Sequence, residues 1–205
     1  TVSGTINTTG SGLFTATNSG ANVLNGVTLN GALDLASATA SERVLNNLAL
    51  NGNINLNANS ILNFEGNNTL SGNAVITLGD TGSSNRIGID NNGTLTTNAG
   101  TLIHGKNGTI GQAIYIGGNS TLINNGTISA DVAGGVINNV TTLTNNSGQL
   151  AAENGGTLYL SGRVVQSAAG TALAVGSGSS IVHNGVQITG GTIGSSGGGS
   201  FVAAN

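Results

Sequence analysis

The chain has 205 residues, a formal charge of −3 at pH 7, 5% charged residues and 2% aromatic residues. Gly, Asn, Thr and Ser supply 112 positions, and Pro, Cys, Met and Trp are absent. This excludes a disulfide framework and a cysteine metal site. Four Lys and Arg against seven Asp and Glu cannot form the basic surface of a nucleic-acid binder. No run of about 18 apolar residues exists to span a bilayer as a helix. Gly and Asn are poor helix formers, so composition points away from helices. A hydrophobic content of 37% with low net charge argues for an ordered core and against disorder.

In chain order, apolar residues recur as i, i+2 pairs: Leu48 and Leu50, Ile54 and Leu56, Leu62 and Phe64, Ile76 and Leu78, Ile87 and Ile89. Ile114 and Ile116, Leu158 and Leu160, and Val186 and Ile188 continue the pattern. Period two predicts strands with one buried face. Asn-Gly occurs eight times between the pairs. That dipeptide favours positive φ and turns the chain sharply, so the strands are expected to be short.

Internal repetition selects the architecture. Residues 22–37 and 43–58 align at an offset of 21 with seven of sixteen positions identical. Residues 121–130 and 142–152 repeat the same spacing, slipping by one at Ser147. A period near 21 holds about three short strands and three turns, which predicts an all-β, right-handed parallel β-helix of about nine coils. Hairpins or a sandwich would not require the same residues to recur at 21. The stacking predicts Leu24 over Leu45 and Leu29 over Leu50 inside. It also predicts amide ladders of Asn25 with Asn46 and Asn30 with Asn51 at the turns. The period weakens over 79–120, where a longer loop or a shortened coil is expected. The stretch 194–200 has linker-like composition, but Phe201 and Val202 signal a further coil. Residues 1–205 read as one solenoid segment belonging to a longer repeat protein.

Chemistry-bearing residues are few. His104 and His183 lack a Cys, Asp or Glu at ligand spacing and read as turn or solvent-facing histidines. Asp80, Arg86 and Asp90 form a charged cluster that either binds a cation or sugar or is a solvated ion pair. Asp34 aligns with Asn55 and is expected to face outward. Tyr115 and Tyr159 lie between paired aliphatics and are the expected exposed contact residues. Eight Asn-X-Ser/Thr sequons match what composition alone gives and carry no argument for glycosylation. Calcium nonapeptides and Arg-Gly-Asp are absent. No catalytic residue, metal ligand or cofactor site is assigned.

The segments TLINNGTISA (121–130), TLTNNSGQLAA (142–152), GGTLYLSGRV (155–164) and GVQITGGTIGSSGGGSF (185–201) resemble repeats of filamentous haemagglutinin-like and autotransporter passenger adhesins. The resemblance implies a β-helix exported to the surface of a Gram-negative bacterium through an outer-membrane secretion partner. It further implies a non-enzymatic role as a stiff rod in adhesion, aggregation or biofilm. The partners are then a host or neighbouring-cell surface, or copies of the chain itself, with no nucleic acid and no membrane-spanning segment. A chain without Pro lacks the proline-containing secretion motif of the two-partner class. The alternatives are a fibre or matrix protein built by end-to-end stacking and, in another class, a polysaccharide-processing β-helix enzyme. The latter requires two carboxylates facing each other across a cleft.

Overall fold

The computed structural model describes residues 1–82 and 84–204 and contains strands and turns with no helix among them. All strand pairings are parallel, and they join 23 strands into one continuous sheet wound as a β-solenoid of about nine turns. The strands fall into three columns. One runs through Ile61–Glu65, Arg86–Asp90, Asn107–Ile110, Val136–Asn139, Thr157–Leu160 and Ser180–His183. A second runs through Asn68–Ser71, Thr94–Thr97, Thr121–Asn124, Leu143–Asn146 and Arg163–Gln166. The third runs through Val75–Leu78, Leu102–Gly105, Thr127–Ala130, Gln149–Glu153 and Thr171–Val175. Early in the chain, Val23–Leu35 and Ser41–Leu56 each cross all three columns as one long bent strand.

Alternation decides what lies inside. Most four-residue strands bury their second and fourth residues and leave the first and third half-buried. Parallel pairing places equivalent residues above one another. The third column therefore carries an unbroken apolar row: Phe14, Leu33, Ile54, Ile76, Ile103, Ile128, Leu150, Ala172 and Ile193. From Leu33 to Ala172 this row is fully buried. Each side chain covers its neighbours above and below, so a coil gains its burial from the stack rather than alone.

The coil length is less uniform than a single period of 21. Asn30 and Asn51 lie 21 apart and Asn124 and Asn146 lie 22 apart. Thr77 and His104, and Thr97 and Asn124, lie 27 apart. The extra residues sit in the turn between Leu78 and Arg86 and in the segment between Ile110 and Thr121, within the irregular middle expected from the sequence. One stacking expectation is corrected. Leu24 pairs with Val44, and Leu45 is turned to the half-exposed side. The cause is a register shift between Asn25 and Val27, where Gly26 adopts φ +61°. Leu29 does stack on Leu50. Gly52 shows why the turn glycines recur: a Cβ there would lie 1.8 Å from the Gly31 carbonyl oxygen of the neighbouring coil.

A buried polar row runs through the later coils of the second column. There Val27, Leu48 and Leu70 give way to Thr97, Asn124, Asn146 and Gln166. All four polar residues are buried. Thr97 Oγ1 donates to Asn124 Oδ1 (3.1 Å), Asn124 Nδ2 to Asn146 Oδ1 (2.8 Å), and Asn146 Nδ2 to Gln166 Oε1 (2.9 Å). Asn124 and Asn146 also donate to backbone carbonyls of Gln149 and Thr171, so the row ties side chains to the coil wall. Buried amides without partners would cost more than they return, and here the row satisfies them.

Glu42 is another inward polar residue, and it is acidic. It pairs in register with core residue Leu62 and is 3% exposed. Burial pushes its carboxyl up to about 7 from its ordinary 4.5, opposed only by the amino terminus.

Two outcomes follow from these buried groups. Asn146→Ala removes the link between Asn124 and Gln166 and is expected to destabilise the chain by about 1–3 kcal/mol in urea unfolding followed by circular dichroism. Because the folded Glu42 carboxyl titrates above its unfolded value, its contribution is complete below about pH 4.5 and is lost as pH rises through about 7. Melting curves at pH 5 and pH 8 should therefore show wild type losing of order 1–3 kcal/mol relative to Glu42→Gln. Parallel pH profiles for the two proteins would contradict this assignment.

Candidate binding groove

The largest departure from the repeat follows Ile110. Residues 111–120 form no strand, and Ile116 is 53% exposed. The alternation of Ile114 with Ile116 is thus not a half-buried strand, and Tyr115 faces outward for a different reason from the one the pattern gave. Glycines at 111, 117 and 118 take positive φ, so the segment leaves the coil path and returns over the first column.

One carboxylate anchors the middle of this loop, beside backbone bonds from the Ile89 N–H to Gln112 and from the Asn91 N–H to Gly117. Asp90 ends the strand Arg86–Asp90 and is fully buried. Its oxygens accept the backbone N–H groups of Ile114 (2.8 Å), Tyr115 (2.8 Å) and Gly117 (3.1 Å), and Asn63 Nδ2 donates to it at 3.0 Å. Burial on its own raises the Asp90 carboxyl, but the Tyr115, Ile114 and Gly117 N–H groups and the Asn63 amide outweigh it and hold it below its ordinary 3.8. Close approach of the loop also needs Gly88, where a Cβ would lie 2.7 Å from Ile114 Cδ1 and 2.0 Å from Asn63 Oδ1. The sequence grouped Asp90 with Asp80 and Arg86 as a charged cluster. The structure separates them: Asp80 is exposed, and the ion pairs among the described residues are Arg43 with Glu65 and His104 with Asp131.

The loop delivers Tyr115 onto coils far back in the chain. Its hydroxyl hydrogen-bonds Ser41 Oγ, and the Arg43 guanidinium lies 5.5 Å from the ring centroid. Arg43 is fixed in turn by Glu65, with Nη2 donating to Oε2 at 2.7 Å, and by the Gly20 carbonyl at 3.1 Å. Tyr115 lines a groove of about 610 Å³ together with Thr39, Ser41, Asn59, Ile61 and Arg86. No carboxylate lines it among the described residues. Tyr159 lies elsewhere, half-buried between core residues Leu158 and Leu160, in register with Asn138 and Val182.

The other sequence candidates have structural partners. Asn46 Nδ2 donates to Asn25 Oδ1, Asn51 Nδ2 to Asn30 Oδ1, and Asn30 Nδ2 to Asn7 Oδ1, each at 2.8 Å on the exposed side. Asp34 pairs in register with Asn55 and is half-buried. His183 stacks on Phe201 with ring centroids 5.6 Å apart. His104 is not the free histidine its sequence neighbours suggested. Its Nδ1 lies 2.9 Å from Asp131 Oδ2, and its Nε2 lies 3.2 Å from Thr77 Oγ1. Hydroxyl, imidazole and carboxylate in this order match the arrangement of a nucleophile, base and orienting acid. The adjoining N–H donors needed for an oxyanion are committed, however. Gly79 donates to Leu56, Lys106 to Leu78, and Gly105 to Asp131 itself. The row therefore acts as a cross-coil clasp.

Carboxylate pairing was the other requirement for sugar chemistry. Asp90 and Glu65 are register partners on adjacent coils. Asp90 accepts four hydrogen bonds from the loop and Asn63, and Glu65 is bridged by Arg43. A comparison with protein-family models, curated proteins and solved structures finds no match to this chain.

Removing the loop's anchor should free the loop while leaving the coils in place. Asp90→Asn keeps the shape but supplies one acceptor oxygen where two receive three N–H groups. Amide hydrogen exchange at residues 114–117 is expected to rise at least about tenfold, the equivalent of about 1.4 kcal/mol, with little change in the strands 121–130. Since Asp90 titrates below its unfolded value, the anchor is complete above about pH 3.8 and weakens as pH falls further.

Proposed function

We propose that this chain is a rod-forming segment of a secreted adhesin or filament on a Gram-negative bacterial surface. Its work would be mechanical and adhesive, without catalysis. The observation that carries the reading is the uninterrupted stack of about nine coils under a surface poor in charge. Such a stack is stiff because every coil is hydrogen-bonded to its neighbours over three columns. At about 4.8 Å per coil the segment is a rod roughly 45 Å long. The resemblance of 121–130, 142–152, 155–164 and 185–201 to adhesin repeats supports the surface assignment, an outer-membrane secretion partner, and a host or neighbouring cell as the counterpart.

End-to-end assembly is the second reading, and a separate observation favours it. Val2 and Leu13 at one end, and Ile193 and Val202 at the other, are exposed apolar residues on strands with an unpaired edge. A second copy, or adjoining coils of a longer chain, would cover them equally well.

Beads coated with the purified chain should be retained on epithelial or bacterial cell layers well above albumin-coated beads. Retention no higher than albumin would sink the adhesive role. Negative-stain electron microscopy of the same preparation separates the two forms: uniform short rods are expected of a segment, and long fibres of a self-assembling protein.

A further inference from the structure

The segment that carries Tyr115 adds no strand to the three columns. The chain spends ten residues, a buried carboxylate and a tolerated orphan on it: Asn63 Oδ1 is buried with no hydrogen-bond partner. These are costs that a plain turn would avoid. They secure a tyrosine ring held in one position before any ligand arrives, with its hydroxyl on Ser41 and Arg43 at its face. Tyr115 is nonetheless 40% exposed.

The lining has the chemistry of a sugar site. A flat aromatic wall offers its face to the C–H side of a pyranose ring. Asn59 accepts the Ser84 N–H through Oδ1 at 3.1 Å, and among the described residues its Nδ2 is left as a donor for hydroxyls. Thr39, whose hydroxyl donates to the Ala38 carbonyl at 2.7 Å, adds an acceptor oxygen. Arg86 supplies the remaining charge. It forms no ion pair among the described residues, whereas Arg43 is committed to Glu65. A guanidinium fork is shaped to take a carboxylate through two hydrogen bonds. The groove runs across successive coils, because Ser41, Ile61 and Arg86 are stacked register partners. Inter-coil spacing of about 4.8 Å is close to the length of one hexose unit. A volume of about 610 Å³ accommodates a short oligosaccharide.

We infer that this groove binds a short acidic saccharide, with its carboxylate on Arg86 and one ring stacked on Tyr115. The inference names a ligand class for the adhesive rod and rests on that reading. With no carboxylate in the lining, the sugar is held and not cleaved.

Isothermal titration of the intact chain with trigalacturonate and with 3′-sialyllactose tests it, using neutral trigalactose and lactose as matched controls. At least one acidic sugar should bind with Kd below about 1 mM, and its neutral counterpart at least about tenfold more weakly. Arg86→Gln and Tyr115→Ala should each weaken binding at least about tenfold, while Tyr115→Phe and Tyr159→Ala retain it. Circular dichroism establishes that each variant is folded. Should Tyr115→Ala fail to fold, Arg86→Gln with Tyr115→Phe decides the matter alone. No binding of either acidic sugar, equal binding of the neutral sugars, or binding that survives loss of Arg86 overturns the proposal. Bead retention by the Arg86→Gln chain separates the two readings: a retained rod with a silent groove removes only the saccharide.

Discussion

Everything in this molecule depends on identical positions lying directly above one another. A strand of four residues buries two side chains, and fully burying one large aliphatic is worth about 1.5–3 kcal/mol. Ordering the backbone costs about 1–2 kcal/mol per residue, so no such strand persists alone. Stacking changes the balance, because each side chain in the row from Leu33 through Ile76 to Leu150 is shielded by the coils on both sides. The same requirement explains the bare glycines at the turns. Where Gly52 meets the carbonyl of Gly31, the coils approach so closely that a methyl group has no room.

Much of this was legible in the sequence, because stacking leaves a direct signature there: recurrence of residue type at the coil period. The pairs Leu48 with Leu50 and Ile54 with Leu56, and the repeated Asn-Gly turns, give strand, face and turn without knowledge of the fold. The amides Asn25, Asn46, Asn30 and Asn51 lie beside their coil partners because exposed turn positions repeat at 21. What escaped was anything depending on a local shift of register or on long-range return of the chain. A one-residue bulge at Asn46 and Asn47, opposite Gly26, replaced Leu45 by Val44 beneath Leu24. The inward amide row was hidden because Asn124 and Asn146 sit in Asn-Asn pairs that look like turn residues. His104 and Asp131 are separated by 27 residues in the chain and by one coil in space. Sequence neighbours therefore say nothing of their pairing.

The groove arises where the repeat fails. Ile114, Tyr115 and Ile116 have the letters of a strand, but Asp90 offers the N–H groups of Ile114, Tyr115 and Gly117 a better acceptor than the next coil does. Charge-assisted hydrogen bonds in a buried setting outweigh the weak strand preference of three residues. The outcome joins residues from distant coils, Ser41, Arg43, Arg86 and Tyr115, into one surface. A solenoid gives its loops a rigid base on which a single carboxylate can fix a side chain.

The amide rows also have a direction. Outside, in the early coils, Asn51, Asn46 and Asn30 each donate toward the amino-terminal end. Inside, in the later coils, Asn124, Asn146 and Gln166 each donate toward the carboxy-terminal end, the last reaching the Gly190 carbonyl. Hydrogen bonds aligned in a dry interior polarise one another. The inner row thus behaves as a short polarised wire, with its negative side at Thr97 and its positive side at Gln166. An apolar coil inserted into it would leave two shorter dipoles facing each other across a gap.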